Sequence, residues 1–197
     1  MTMKKILLLA IIALCAGFAG CSKDDEDKGL ITDGCGNTYT EIIIGTQTWL
    51  KEDLNTSKYI NGEDIERADG GSARPAYEDR GAYGYFYNFA AVETNKLCPK
   101  GYAVPTKADF ETLITYFGGE NIDKDSIIER YVNTWFGKSN GTGGGFNEGS
   151  GIYGTSTTTY DYSRDWHMYY RTEEPVGLGM SSSDKVYGHN IRCIKKQ

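Results

Sequence analysis

Hydrophobic and polar positions follow several different periods along the chain. Ile6 to Gly20 form one uncharged run behind Lys4 and Lys5, and Ser22 to Gly29 is dominated by charge. From Thr38, the β-branched stretch Tyr39 to Ile44 predicts a strand, Gly45 a turn, and Gln47 to Leu50 a second strand. Residues 61–82 are polar, punctuated by Gly62, Gly70, Gly71 and Pro75, and read as a long loop. Tyr83 to Val92 is dense in aromatics. Phe110, Leu113, Ile114 and Phe117 repeat at i, i+3, i+4 and i+7, which is one face of a helix. Thr106 and Asp109 give that helix a capping-box start and Gly118-Gly119 stop it. A second helix is expected from Ser126 to Trp135. Between Gly137 and Gly154, eight of eighteen residues are glycine, which predicts loop; the remainder, to Ile194, reads as short strands. No internal repeat is visible.

These elements predict a single, loop-rich α+β domain with short antiparallel strands and one or two helices. The total of 197 residues suits one domain, large enough to bury a core without a metal or a dense disulfide framework. Mean hydropathy is −0.49, which excludes a multi-span membrane protein. Lys and Arg number 21 against 27 Asp and Glu, so nucleic acid is not an expected partner.

The first segment reads as an address. A basic start and a short uncharged run have the form of a signal peptide, residues 1–20, and Phe18-Ala19-Gly20-Cys21 resembles a bacterial lipobox. Cleavage before Cys21 and lipidation of its sulfur are therefore expected. The acidic run in residues 21–32 reads as a solvated tether and resembles the surface-export signal of Bacteroidota lipoproteins. Loss of Lys4 and Lys5 takes the formal charge from −6 to −8, so acyl chains must hold the protein to its membrane. The expected location is the outer membrane, facing the cell exterior.

After cleavage, Cys35, Cys98 and Cys193 remain besides Cys21. An oxidising compartment suggests one disulfide and one leftover thiol, and the residues alone permit three pairings. Metal ligation is not expected, since no Cys-x-x-Cys exists and His167 and His189 lack zinc spacing. No cofactor is expected either. The Gly141–Gly145 stretch lacks the Gly-Lys-Ser/Thr of a phosphate loop. Hydrolysis would have to pair His167 or His189 with Ser181, Ser182 or Ser183 and Asp184, and no nucleophile elbow is present. Glu174-Pro175-Val176 and Asp123-Lys124-Asp125 do not supply a calcium ligand set. An enzyme is not the expected reading.

The 15 Tyr and 25 Gly point elsewhere. Tyr153, Tyr160, Tyr162, Trp166, Tyr169 and Tyr170 fall in Gly/Ser/Thr-rich sequence, the mixture that paratopes use. These six are the candidate ligand-binding residues, for a glycan or a surface protein. Asp125-Ser126-Ile127 resembles a Bacteroidota O-glycosylation signal, with Ser126 as acceptor.

Four segments, in order, resemble one family: Asp33–Leu54 with its Gly-Thr-Gln-Thr-Trp-Leu core, Tyr83–Val92, Lys96–Thr106 and Ile191–Lys195. They are similar to the Fibrobacter succinogenes major paralogous domain of Bacteroidota and Fibrobacterota surface proteins, here over residues 33–197. The resemblance implies a C-type-lectin-like fold shared with formylglycine-generating proteins, pairing of Cys98 with Cys193, and core positions for Tyr83, Tyr85, Phe86, Tyr87 and Phe89 of the second segment. Positions 102 and 110, usually Trp in the family, are Tyr and Phe here. The expected function is a non-catalytic binding or adhesion domain. The alternatives are a structural or accessory subunit of a surface assembly, and an enzyme of the formylglycine-generating type.

Overall fold

The computed structural model describes residues 30–81, 84–126, 129, 150–171 and 176–196. The expected leader, Cys21, most of the expected tether, Tyr83 and the bulk of the expected second helix lie outside these residues, as do Glu174 and Pro175. In chain order the elements are β1 (Ile31–Thr32), β2 (Thr38–Tyr39), β3 (Glu41–Ile44), β4 (Gln47–Leu50), β5 (Glu66–Arg67), β6 (Ala76–Asp79), β7 (Tyr85–Asn88), α1 (Phe89–Glu93), β8 (Tyr102–Ala103), α2 (Lys107–Phe117), α3 (Lys124–Ser126), β9 (Ser150–Thr158), β10 (Arg164–Arg171), β11 (Gly177–Asp184), β12 (Gly188–His189) and β13 (Ile194–Lys195). The result is a mixed α+β fold of small, open, mainly antiparallel sheets.

α2 forms where the period-3.6 pattern places it. The Thr106 side chain accepts from the Asp109 N–H while the Asp109 carboxylate accepts from the Thr106 N–H, so two orphan amides of the first turn are satisfied. Gly118 ends the helix at φ 116°, a conformation that a side chain would strain. The apolar face buries Phe110, Leu113, Ile114 and Phe117, and Trp49 packs on Phe110 with ring centroids 5.3 Å apart.

Two sheets depend on residues far apart in sequence. β13 inserts between β4 and β8, giving the order β3-β4-β13-β8. β12 adds to β7, giving β12-β7-β6-β5. Cys98 and Cys193 are joined by a disulfide, closing 95 residues of chain, and Cys35 is an exposed free thiol. Next to Cys193 in the chain, the buried Arg192 guanidinium donates 2.5 Å and 2.8 Å hydrogen bonds to the Asp53 carboxylate.

Ile31 and Thr32, just before the expected domain start, pair with Tyr39 and Thr38. Two expectations need correction. The 61–82 stretch is not all loop: it holds β5 and β6, whose glycine-rich surroundings hid them. The C-terminal part is not a set of short strands. β9, β10 and β11 are nine, eight and eight residues long and form one antiparallel sheet, and Ser150 to Gly154 of the expected glycine loop belong to it.

Core expectations hold in part. Phe86, Tyr87 and Phe89 are buried, and Tyr85 packs against the same cluster. Tyr102 and Phe110 are also buried. Near α3, Ser126 donates its hydroxyl hydrogen to Asp123 at 2.8 Å.

Candidate functional site

Period two divides the residues of β10 between two faces. Met168 and Tyr170 point to the core beneath α2, together with Tyr153 of β9 and Leu178 of β11. Asp165, His167, Tyr169 and Arg171 take the opposite, outer face. Register then sets their neighbours: Asp165 opposes Ser183, His167 opposes Ser181 and Tyr169 opposes Gly179.

β12 brings a further group to this face. The Gly154 N–H donates to the Asn190 carbonyl at 3.0 Å, which draws His189 against β9. A Cβ at Gly154 would sit 3.2 Å from the His189 Cβ and 3.1 Å from Ile191, so the glycine permits the approach.

The four side chains that meet there are Asp165, His167, Ser183 and His189. Ser183 Oγ lies 2.9 Å from His189 Nε2, 3.4 Å from His167 Nδ1 and 3.5 Å from Asp165 Oδ1. His189 Nε2 is also 3.5 Å from Asp165 Oδ2, and the two imidazole centroids are 4.7 Å apart. Burial sets the protonation of all three ionisable groups. It raises the Asp165 carboxyl to about 7, against the hydrogen bond from Ser183. It lowers His167 to about 4, helped by the charge of Arg164, and His189 to about 3, helped by His167. At neutral pH both imidazoles are uncharged. The order of contacts is not that of a nucleophilic relay. There the carboxylate holds the imidazole nitrogen remote from the serine, whereas here Asp165 and Ser183 reach the same nitrogen. Among the described residues, no group of three or more His, Cys, Asp or Glu is placed to hold a metal ion.

Beside this cluster the outer face opens into a cleft of about 410 Å³, lined by residues that include Ile152, His167, Tyr169, Arg171 and Ser181. The Tyr169 ring lies across β11, 3.4 Å from where a Cβ at Gly177 would sit and with its hydroxyl 3.3 Å from where one at Gly179 would sit. The Arg171 guanidinium sits 5.4 Å over the same ring.

The other end of the sheet is a hairpin tip. Thr159 N–H donates to the Arg164 carbonyl and Tyr162 N–H to the Thr159 carbonyl, both at 2.9 Å. The Asp161 carboxylate accepts from Thr159 Oγ1 at 2.7 Å, from Ser163 Oγ at 2.9 Å and from the Ser163 N–H at 3.2 Å. These bonds, Thr159's first, hold its pKa down to about 2. Tyr162 is fixed at φ 58°, a left-handed conformation uncommon for a non-glycine residue. Tyr160 and Tyr162 are 100% and 74% exposed.

Family models match residues 42–195 to the Fibrobacter succinogenes major domain, from within β3 to the end of β13. The chain belongs to that family. No curated protein and no solved structure matches it significantly.

Within this Fibrobacter succinogenes major domain, the six candidate aromatics do not share one face. Tyr153 is fully buried and Tyr170 is 4% exposed, because strand alternation turns both inward beneath α2. The Tyr153 hydroxyl donates to Asp53 at 3.3 Å, and burial pushes the Tyr170 hydroxyl well above its usual range. Trp166 is half-buried under the Lys107 ammonium, 4.7 Å from its ring. Tyr169 is half-buried in the cleft, and Tyr160 and Tyr162 stand at the tip. Of the residues weighed for hydrolysis, Ser183 joins both histidines, whereas Asp184 lies 3.8 Å from Arg164 on the exposed side. The residues of this candidate site that the sequence did not signal are Asp165 and Arg171. Only the β10–β11 register, which no short motif signals, places them.

Proposed function

We propose that the chain is a surface-displayed lipoprotein whose Fibrobacter succinogenes major domain binds a glycan or protein ligand without catalysis. The observation that carries this reading is the β9–β10 tip. Two tyrosines, 100% and 74% exposed, stand on a turn in which the Asp161 carboxylate accepts three hydrogen bonds, one from the Ser163 N–H and two from the hydroxyls of Thr159 and Ser163. Rigid aromatic anchors lose little entropy on binding, which is why tyrosine dominates paratopes and hot spots. The lipobox at Cys21 and the acidic tether support display at the outer membrane. The C-type-lectin-like assignment belongs to the same proposal, supported by the disulfide that ties the last strand to the segment before α2.

Glycan and protein arrays probed with the full-length chain test the proposal. Binding that falls at least about tenfold in the Tyr160→Ala/Tyr162→Ala double variant, with thermal stability unchanged, is the expected result. Silence across both arrays, or binding indifferent to the two tyrosines, would overturn it.

A second reading, a subunit of a surface assembly, has one observation in its favour. β11 pairs with β10 on one side, and among the described strands no other lies along its eight residues. Co-purification of partner proteins from outer membranes is the result that reading requires.

A further inference from the structure

We infer that the cleft on the outer face of β9, β10 and β11 is a sugar site selective for a carboxylate-bearing pyranose, such as a terminal uronic acid. This site is separate from the hairpin tip. Arg171 ends β10 and Arg164 begins it, so about 23 Å of strand lies between them.

Shape and size come first. The volume of about 410 Å³ lies in the range of small-molecule sites, roughly 300–1,000 Å³. The half-buried Tyr169 ring and Ile152, its cross-strand partner, give the apolar wall on which the C–H face of a pyranose packs.

Polar groups converge on the same space. His167 is only 7% exposed yet lines the cleft. Its Nδ1 is engaged with Ser183, and its Nε2 has no hydrogen-bond partner among the described residues. A neutral imidazole nitrogen in that state suits a sugar hydroxyl. The exposed Ser181 stands directly opposite it in register.

The carboxylate preference comes from Arg171. Arg164, at the other end of the strand, has Asp184 within 3.8 Å. Arg171 has no ion pair among the described residues, and stacking on Tyr169 leaves its guanidinium edge for a ligand. A planar fork of that kind matches a carboxylate in two parallel hydrogen bonds. The net charge of −6 repels a polyanion, so the ligand carries one carboxylate rather than a cluster of sulfates or phosphates.

The probes are methyl glucuronide and methyl glucoside, titrated into the full-length chain and followed by NMR. The glucuronide is expected to bind about tenfold tighter, the order of one charge-assisted hydrogen-bonded pair. Arg171→Gln should erase that difference while leaving the glucoside unchanged. Ser181→Ala, at an exposed position, should weaken both sugars. Tyr160→Ala/Tyr162→Ala should affect neither, so failure here is distinguishable from failure of the tip. Equal affinity for the two sugars, no binding of either, or an Arg171→Gln variant that still prefers the acid would overturn the proposal. If Arg171→Gln lowers the melting temperature, Arg171→Lys takes its place: it keeps the charge, loses the fork, and should lose most of the preference.

Discussion

Ser183 and His189 meet at 2.9 Å beneath the outer face of the long sheet, and their hydrogen bond joins a strand edge to the returning C-terminal segment. With Asp165 and His167 they form a buried set whose protons respond to folding. The two imidazoles are depressed from 6.5 to about 4 and 3, so they favour the folded state above pH 6.5 and lose that contribution as the pH falls toward 4. Asp165 is raised from 3.8 to about 7, so its contribution is complete below 3.8 and is lost as the pH rises to 7. Between about pH 5 and 6 the unfolded chain therefore binds roughly two protons here and the folded chain one. These groups make stability rise with pH by on the order of 1 kcal/mol per unit, levelling near 7.

Asp165→Asn removes the opposing contribution. Its denaturation midpoint is expected to climb about twice as steeply as the wild type's between pH 5 and 6, as this set alone dictates. Parallel wild-type and variant curves in chemical denaturation would show that Asp165 holds no proton in the folded state.

Cys98→Ala/Cys193→Ala should lower stability by about 2–5 kcal/mol, because a bridge across 95 residues restricts the unfolded chain strongly. In a chain of this size that is on the order of 10 °C in melting temperature. A redox role would instead leave the melting curve unchanged.

Arg192→Ala is expected to cost about 3–5 kcal/mol, since it leaves the Asp53 carboxylate without its buried cation. Asp53→Leu/Arg192→Met should recover much of the loss, because two apolar side chains remove the stranded charge. A double variant as unstable as the sum of the two single ones would mean the pair is not coupled.

Cys21→Ser tests the anchor. Metabolic labelling with a radioactive fatty acid should mark the wild type and not the variant, and only the wild type should partition with outer membranes. Equal labelling would remove the lipobox reading.

The helix was legible because its signals are local. Thr106, Asp109, four apolar residues and Gly118 all lie within thirteen positions of one another. The long sheet was not. In β11, alternation survives only in Leu178 and Met180, because the outward positions are Gly177, Gly179, Ser181 and Ser183. Two of those glycines are covered by the Tyr169 ring, and Gly154 makes room for His189. Glycine that reads as loop thus marks close packing against a sheet face. The same blindness affected the aromatics: Tyr153 and Tyr170 look like Tyr160 and Tyr162 in composition, and only strand parity sends the first pair inward. The Asp165, His167, Ser183 and His189 set needs the β10–β11 register and the parallel bridge between Tyr153 and Asn190, neither of which a linear motif encodes.

The insertion of β13 between β4 and β8 has a kinetic consequence. Residues 188–195 supply a strand to each of two sheets, one half of the disulfide and the cation for Asp53. A ribosome or a translocation pore that still holds those residues leaves both sheets unfinished and Cys98 without its partner. Closure of both sheets and of the disulfide therefore waits on one late segment of the chain, which makes their formation dependent on long-range contacts.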